Sequence, residues 1–202
     1  VRGGFGGFEG RGLRKGDVLD TGDTGTAPPA GAADRPFAVV PVPGLDAERQ
    51  VPSAEPGSVT VVRVVRGEHW DGFTPEAQAL FPRETYRLSP QSDRMGYRLE
   101  GPALTRQAPG ELVSEGVTFG TVQVPPDGQP IVLMAERQSA GGYPKIAHVA
   151  SVDLPLLSQL APSQSLRFEP VTLEHAQDLY LARETRLAAL RRAQQAFDGA
   201  LP

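Results

Sequence analysis

Two short segments concentrate the side chains that could do chemistry. The first, Ser89–Gly101, reads SPQSDRMGYRLEG and gathers a hydroxyl (Ser92), a carboxylate (Asp93) and two guanidiniums (Arg94, Arg98) around Gly96. A guanidinium grips a carboxylate through two parallel hydrogen bonds, so two arginines flanking a glycine turn could converge on one anion. If Tyr97–Glu100 is extended, Arg98 and Glu100 share one face and Tyr97 and Leu99 the other. The plainer alternative is that Asp93 pairs with one arginine and staples the turn. Residue types alone favour that alternative, since surface ion pairs are common although weakly stabilising.

The second segment, Glu136–Ala147, reads ERQSAGGYPKIA and follows the apolar run IVLMA. Gly141 and Gly142 let backbone N–H groups approach a ligand closely, or adopt positive φ in a tight turn. Gln138 offers both a donor and an acceptor, Tyr143 a stacking face with a hydroxyl, and Lys145 a compact positive charge. That inventory suits an amide-like or ureido ligand beside a carboxylate. A Gly-Gly hairpin loop accounts for the same residues equally well. Glu115, in SEGVTFG, adds a candidate carboxylate, whereas Asp127-Gly128 is a turn signal only.

Other chemistries are excluded by spacing. The opening GGFGGFEGRG places Glu9 where GxGxxG needs its third glycine, and no GK[ST] follows, so it reads as a glycine-rich turn. His69, His148 and His175 have no HxH or HExxH spacing, and no metal site is expected. There is no GxSxG elbow. Cysteine is absent, which removes disulfides, zinc ribbons and a cysteine nucleophile. The net charge of −4 argues against a nucleic-acid partner. No apolar run reaches the roughly 20 residues of a membrane span, so a cytoplasmic protein is expected. Only Lys15 and Lys145 are lysines and asparagine is absent, a bias that a thermophile or a GC-rich genome produces, the genome being the readier explanation.

The elements that must position these segments are mostly strands. With 20 Pro and 23 Gly, long helices are broken and short strands between tight turns are favoured. Strands are expected at Phe37–Pro43, Ser58–Val65, Thr85–Ser89, Tyr97–Glu100, Thr121–Val124, Pro130–Ala135, Ala147–Asp153 and Ser165–Pro170, at spacings that suit an antiparallel barrel or sandwich. Thr74 caps a short helix over Pro75–Phe81 with Pro75 at its first position. Towards the end the period changes: Leu173, Ala176, Tyr180, Leu187, Leu190 and Phe197 mark an amphipathic helix capped by Thr172 and interrupted at Arg183 and Gln194. Three regions result: a glycine-rich junction and linker over 1–35, a barrel over 36–172 and a C-terminal helix over 173–202. Val1–Gly16 reads as turns from mid-protein, not as a signal peptide.

The segments GGFGGFEGRGLRKGDVL, VRVVRGEHWDGFTPEAQALF, SPQSDRMGYRLEGP, SEGVTFGTVQVPPDGQPIVLMAERQSAGGYPKIAHV and SLRFEPV, in that order, resemble the biotin-dependent carboxyltransferase-like family. That family includes the C subunit of 5-oxoprolinase, KipA, allophanate hydrolase subunit 2-like proteins and the carboxyltransferase part of urea amidolyase. The resemblance begins partway into the family's sequence, so a first domain of roughly a hundred residues is expected ahead of Val1. It implies a mainly β fold, a cyclophilin-like β-barrel with short helices, and a site shared between two domains. By the same likeness Asp93, Arg94, Arg98, Gln138 and Tyr143 are the catalytic candidates. Ser92, Glu115, Gly141, Gly142 and Lys145 are the substrate-binding ones. RQSAGGYP departs from the more usual RQTTGGYP at Ser139 and Ala140, which removes a hydroxyl contact at Ala140.

The implied activity is that of the C subunit in an ATP-dependent 5-oxoprolinase, opening 5-oxo-L-proline to L-glutamate. ATP would be bound by, or shared with, the partner A and B subunits, the latter KipI-like. Two alternatives come with the family. One is a KipA-type regulator that binds a histidine-kinase inhibitor; the other is a carboxyltransferase using carboxybiotin on urea or a similar amide. The isolated chain is expected to be inactive.

Overall fold

The computed structural model describes residues 8–20, 52, 55, 57–108, 110 and 112–199. The strand expected at Phe37–Pro43 lies outside them, as does most of the junction over 1–35. The chain divides into two compact units, Val1–Val40 and Pro41–Pro202.

In the first unit, residues 8–20 form a turn held by one guanidinium. Glu9 and Gly10 take positive φ (52° and 67°), and the Arg11 N–H donates to the Phe8 carbonyl at 3.1 Å. Arg11 lies over the Phe8 ring and grips both oxygens of Asp17 at 2.8 Å. The hydrogen bond from Arg11, joined by the Arg14 N–H, holds the Asp17 carboxyl below its ordinary range. Residues 8–17 are thus a charge-paired turn.

The second unit is mainly β. Its strands are β1 Val59–Arg66, β2 Tyr86–Leu88, β3 Gly96–Glu100, β4 Glu115–Gly116, β5 Thr121–Gln123, β6 Ile131–Leu133, β7 Ala140–Gly141, β8 Lys145–Val149 and β9 Ser165–Pro170. Seven of them close a barrel in the order β1-β8-β5-β6-β3-β2-β9, while β4 and β7 pair with each other outside it. β1 carries β-branched residues at most positions and runs parallel to β9 from Val59 opposite Ser165 to Val64 opposite Pro170. Helices α1 Pro75–Arg83, α2 Leu154–Ser158 and α3 Leu173–Gly199 complete the unit. The Thr74 hydroxyl accepts from the Ala77 N–H at 3.2 Å, with Pro75 at the first helical position, where its missing N–H costs nothing. α1 buries Ala77 and Phe81, one turn apart. Phe81 stacks on Phe168 at 4.5 Å between ring centres, and Trp70 and Tyr86 flank the pair. Burying these rings contributes a few kcal/mol each to the core.

The strand expected over Ala147–Asp153 ends early, at Val149, and gives way to a 3₁₀ turn over Ser151–Asp153 and then α2. The cause is Asp153, almost fully buried, whose carboxylate accepts from both the Arg63 backbone N–H (2.8 Å) and the Arg63 guanidinium (2.9 Å). A buried carboxylate needs that pairing, and meeting it bends the chain away from the sheet. α3 starts at the expected cap, the Thr172 hydroxyl accepting from the His175 N–H at 3.1 Å. Its inward stripe differs from the expected one. Leu173 and Tyr180 are exposed, whereas Ala176, Leu179, Arg183, Leu187 and Leu190 are half-buried, and Arg183 donates to the Ser151 carbonyl.

Strand order also dictates what covers the barrel. β6 and β8 both flank β5 and both run antiparallel to it. They are therefore parallel to each other, and the connection between them must cross β5. Residues 134–144 make that crossing along the outer face of the barrel and carry β7 on the way.

Candidate functional site

The outer face of β5 is where polar side chains collect. Val122, between Thr121 and Gln123, points into the core, so its two neighbours point outward by strand alternation. Both are nonetheless buried: the 134–144 crossover lies on Gln123, and the Thr121 hydroxyl sits between Thr118 and His148. The Gln123 amide donates to the Tyr143 carbonyl at 3.3 Å, and a Cβ at Gly141 would come within 2.8 Å of Gln123 Nε2. Gly141 thus lets the crossover lie close against the Gln123 amide, and any side chain there would have to displace that amide.

Lys145 joins this face through an irregularity. On β8, Ala147 and Val149 face the core, and regular alternation would send Lys145 the same way. The register instead pairs Ala147 with Val122 and Lys145 with Gln123, so two steps on β8 match one on β5. That β-bulge turns Lys145 outward beside Gln123. Its side chain is 6% exposed, and the ammonium donates to Glu115 at 2.9 Å. Hydrogen bonding to Lys145, then its charge, holds the Glu115 carboxyl below the ordinary range. β4 and β7 pair Glu115 with Gly141, so Glu115, Gly141 and Lys145 form one cluster.

The face continues across the barrel. Gln123 pairs with Ile131 on β6, and Ile131 with Arg98 on β3. Lys145, Gln123, Ile131 and Arg98 therefore form a row over four strands, about 14 Å long at the usual strand spacing. Arg98 is exposed and makes no ion pair among the described residues. Gln138 sits on the crossover beside Gly141, its Nε2 3.5 Å from where a Gly141 Cβ would stand.

The Ser92–Arg94 turn lies at the other end of the β3–β6 ladder. The Asp93 carboxylate accepts from the Met95 (2.8 Å) and Gly96 (3.2 Å) N–H groups, so it closes the turn through the backbone. The Ser92 hydroxyl accepts from the Arg98 N–H at 3.0 Å. Arg94 pairs with Glu136 at 3.1 Å, both well exposed. The structure thus brings together Glu115, Gln138, Gly141, Gly142, Tyr143 and Lys145, and places Arg98 in line with them. Arg94 instead stands past the end of β6, with Ser92 and Asp93 beside a separate cavity of about 180 Å³. A larger cavity of about 640 Å³ opens beside Gly142, Tyr143 and Pro144, walled by Leu104, Leu112 and Val124 and reached by Arg106. Tyr143 is 46% exposed at its rim.

Residues that no motif indicated also reach this face. His148 bridges Thr121 (3.2 Å) and Glu68 (2.9 Å), and His69 Nδ1 accepts from the Lys145 N–H at 3.2 Å. Burial pushes the Glu68 carboxyl up, but the His148 hydrogen bond and the charges of His148 and Lys145 outweigh it and hold the group below its ordinary value. Alternation in TVQV carried a signal for Thr121 and Gln123. Nothing in the spacing of Glu68, His69 and His148 did, because the three meet only through strand pairing. Among the described residues no three His, Cys, Asp or Glu side chains come together as metal ligands. No helix among them is long and apolar enough to cross a membrane.

Comparison with known proteins gives this geometry a context. Residues 1–170 match the model of the carboxyltransferase domain, subdomain A and B. The chain is 37% identical over 192 residues to the C subunit of 5-oxoprolinase from Haemophilus influenzae, covering 95% of this chain and 56% of that protein. It is 44% identical over 115 residues to the C subunit of 5-oxoprolinase from Escherichia coli, covering 57% of this chain and 37% of that one. It thus spans about half the length of the first of these relatives, and less of the second. Among solved structures, the urea amidolyase of K. lactis superposes with a TM-score of 0.61 at 22% identity, over 68% of this chain and 9% of that one. That likeness is one of fold.

Proposed function

Since this chain belongs to the carboxyltransferase domain family, subdomain A and B, we propose that it serves as the C subunit of an ATP-dependent 5-oxoprolinase complex. The observation that carries the reading is the 37% identity running along 95% of the chain to a protein of that name. In the proposed reaction the ring C–N bond of 5-oxo-L-proline breaks and water supplies a hydroxyl to the carbonyl carbon. The ring nitrogen becomes the amine of L-glutamate, while ATP is hydrolysed to ADP and phosphate. The A and B subunits, the latter KipI-like, are the partners in this reading, and ATP belongs with them.

The outer face of β5 supports such chemistry. The substrate presents a carboxylate and an amide carbonyl. Arg98 and Lys145 supply cations for the first. Gln138 and the Gly141–Gly142 N–H groups are donors suited to charge building on the second, as in an oxyanion hole. Tyr143 offers a flat surface for the ring. Arg94 is secondary in this reading, since it stands past the other end of β6, beside the smaller cavity.

The test is glutamate release from 5-oxoproline and ATP by the protein purified with its candidate A and B subunits. Arg98→Ala, Tyr143→Ala and Lys145→Ala are each expected to lower kcat/KM by tenfold or more, about 1.4 kcal/mol per tenfold. Activity that survives all three would make this face a scaffold. No activity in the assembled complex would favour the KipA-type regulator, and turnover of urea that requires carboxybiotin would favour the carboxyltransferase.

A further inference from the structure

The bulge that turns Lys145 outward is held by the turn that follows β1. The Gly67 N–H donates to the Ile146 carbonyl at 2.9 Å, and the His69 N–H donates to the Lys145 carbonyl at 3.1 Å. His69 Nδ1 in turn accepts from the Lys145 N–H at 3.2 Å. The turn packs directly on the strand: a Cβ at Gly67 would stand 2.4 Å from the Lys145 carbonyl oxygen and 2.9 Å from the Ala147 nitrogen. One step further along, Glu68 holds His148 at 2.9 Å, and Arg66 caps the Trp70 ring at 4.8 Å. A bulge leaves backbone groups without their regular ladder partners. Here the main chain of Lys145 is satisfied on both sides by a single residue.

We infer that His69 is a positioning residue for Lys145: its imidazole and main chain clamp the β8 bulge, and the clamp holds the Lys145 ammonium on this outer face, against Glu115. The use of that ammonium to receive a substrate carboxylate rests on the proposed function above; the clamp does not. Without the imidazole acceptor the Lys145 N–H is left unpartnered, a cost that favours relaxing the bulge towards regular register. In regular register Lys145 would point into the core with Ala147 and Val149, which a charged ammonium avoids, so the strand end opens instead.

The experiment exploits the scarcity of lysine. Lys15 and Lys145 are the two lysines of this sequence, their peptides are resolved separately, and Lys15 is an internal reference in the other unit. Acylation is followed by mass spectrometry in the wild type and in His69→Ala, His69→Phe and His69→Asn. The Lys145:Lys15 rate ratio is expected to rise about tenfold in the Ala and Phe variants, which lack an acceptor. It is expected to return towards wild type in His69→Asn, whose amide oxygen can accept. An unchanged ratio in Ala and Phe variants that keep the wild-type circular dichroism overturns the inference, as does an equal rise in the Asn variant. If Ala and Phe both lose the fold, hydrogen exchange of the wild-type Lys145 amide decides. Protection supports the clamp, and exchange at the rate of an open loop overturns it. In the assembled complex the same clamp predicts a raised KM for the substrate in His69→Ala with a smaller change in kcat, rescued by His69→Asn. Acylation that behaves as expected in a complex with no oxoprolinase activity leaves the clamp standing and removes the functional reading.

Discussion

Tyr86 carries its phenol into the aromatic cluster of Phe81 and Phe168, and its hydroxyl is buried without a hydrogen-bond partner among the described residues. Burial raises its pKa, and leaving a polar atom unpaired costs about 1–3 kcal/mol. Tyr86→Phe removes the oxygen and little else, so it is expected to stabilise the protein by about 1 kcal/mol, read as a rise in melting temperature. Asp153 is the opposite case. Removing it by Asp153→Ala takes the carboxylate away from the buried Arg63 guanidinium and is expected to cost about 3–5 kcal/mol in urea unfolding. At this scale the sequence was least informative. Tyr86 and Asp153 are ordinary residues in the chain and become exceptional only through what surrounds them.

Among the elements, the crossover of residues 134–144 has the largest consequence. It covers Gln123, sets Gly141 against it, and brings β7 to β4 so that Glu115 meets Lys145. Several carboxyls are held below their ordinary range, including Glu68, Glu100, Glu115 and Asp17. A lowered carboxyl gives stability that is present above its ordinary pKa, near 4.3, and lost as pH falls through the folded value. This contribution is therefore expected to be fully present above about pH 5 and to be lost progressively below about pH 4. Lys145→Met should flatten the Glu115 part of that drop, which urea unfolding at several pH values would show. The barrel strands were legible from the sequence because β-branched runs and Pro/Gly punctuation mark them, whereas the two-residue strands β4 and β7 read as loops. The end of β8 was not, since the buried pair of Arg63 and Asp153 overrides a local pattern that reads as strand to Asp153.

For the whole molecule, the arrangement explains why two segments that looked alike in chemistry diverge in position. The Ser92–Arg94 turn and the Gly141–Lys145 loop end up at opposite ends of the β3–β6–β5 ladder, beside separate cavities. Glu136 and Tyr143, seven residues apart, mark the two ends of the crossover that joins them. A role within a larger complex fits a site spread over an outer barrel face more readily than one enclosed in a cavity. The assembly assay with Arg98→Ala, Tyr143→Ala and Lys145→Ala is therefore the decisive measurement at this scale.

From the chain alone came the mainly β architecture, the caps at Thr74 and Thr172, the family likeness, and the residue types of both segments. These are local properties: alternation, turn chemistry and motif order survive without any knowledge of what folds against what. The tertiary structure alone decided which residues form one face. A bulge of a single residue reverses the direction of Lys145, and a crossover connection buries Gln123. Strand pairing brings Glu68 and His69 to β8 from nearly eighty positions away. None of these has a local signature, because each depends on register between strands, and register is set by the packing of the whole barrel.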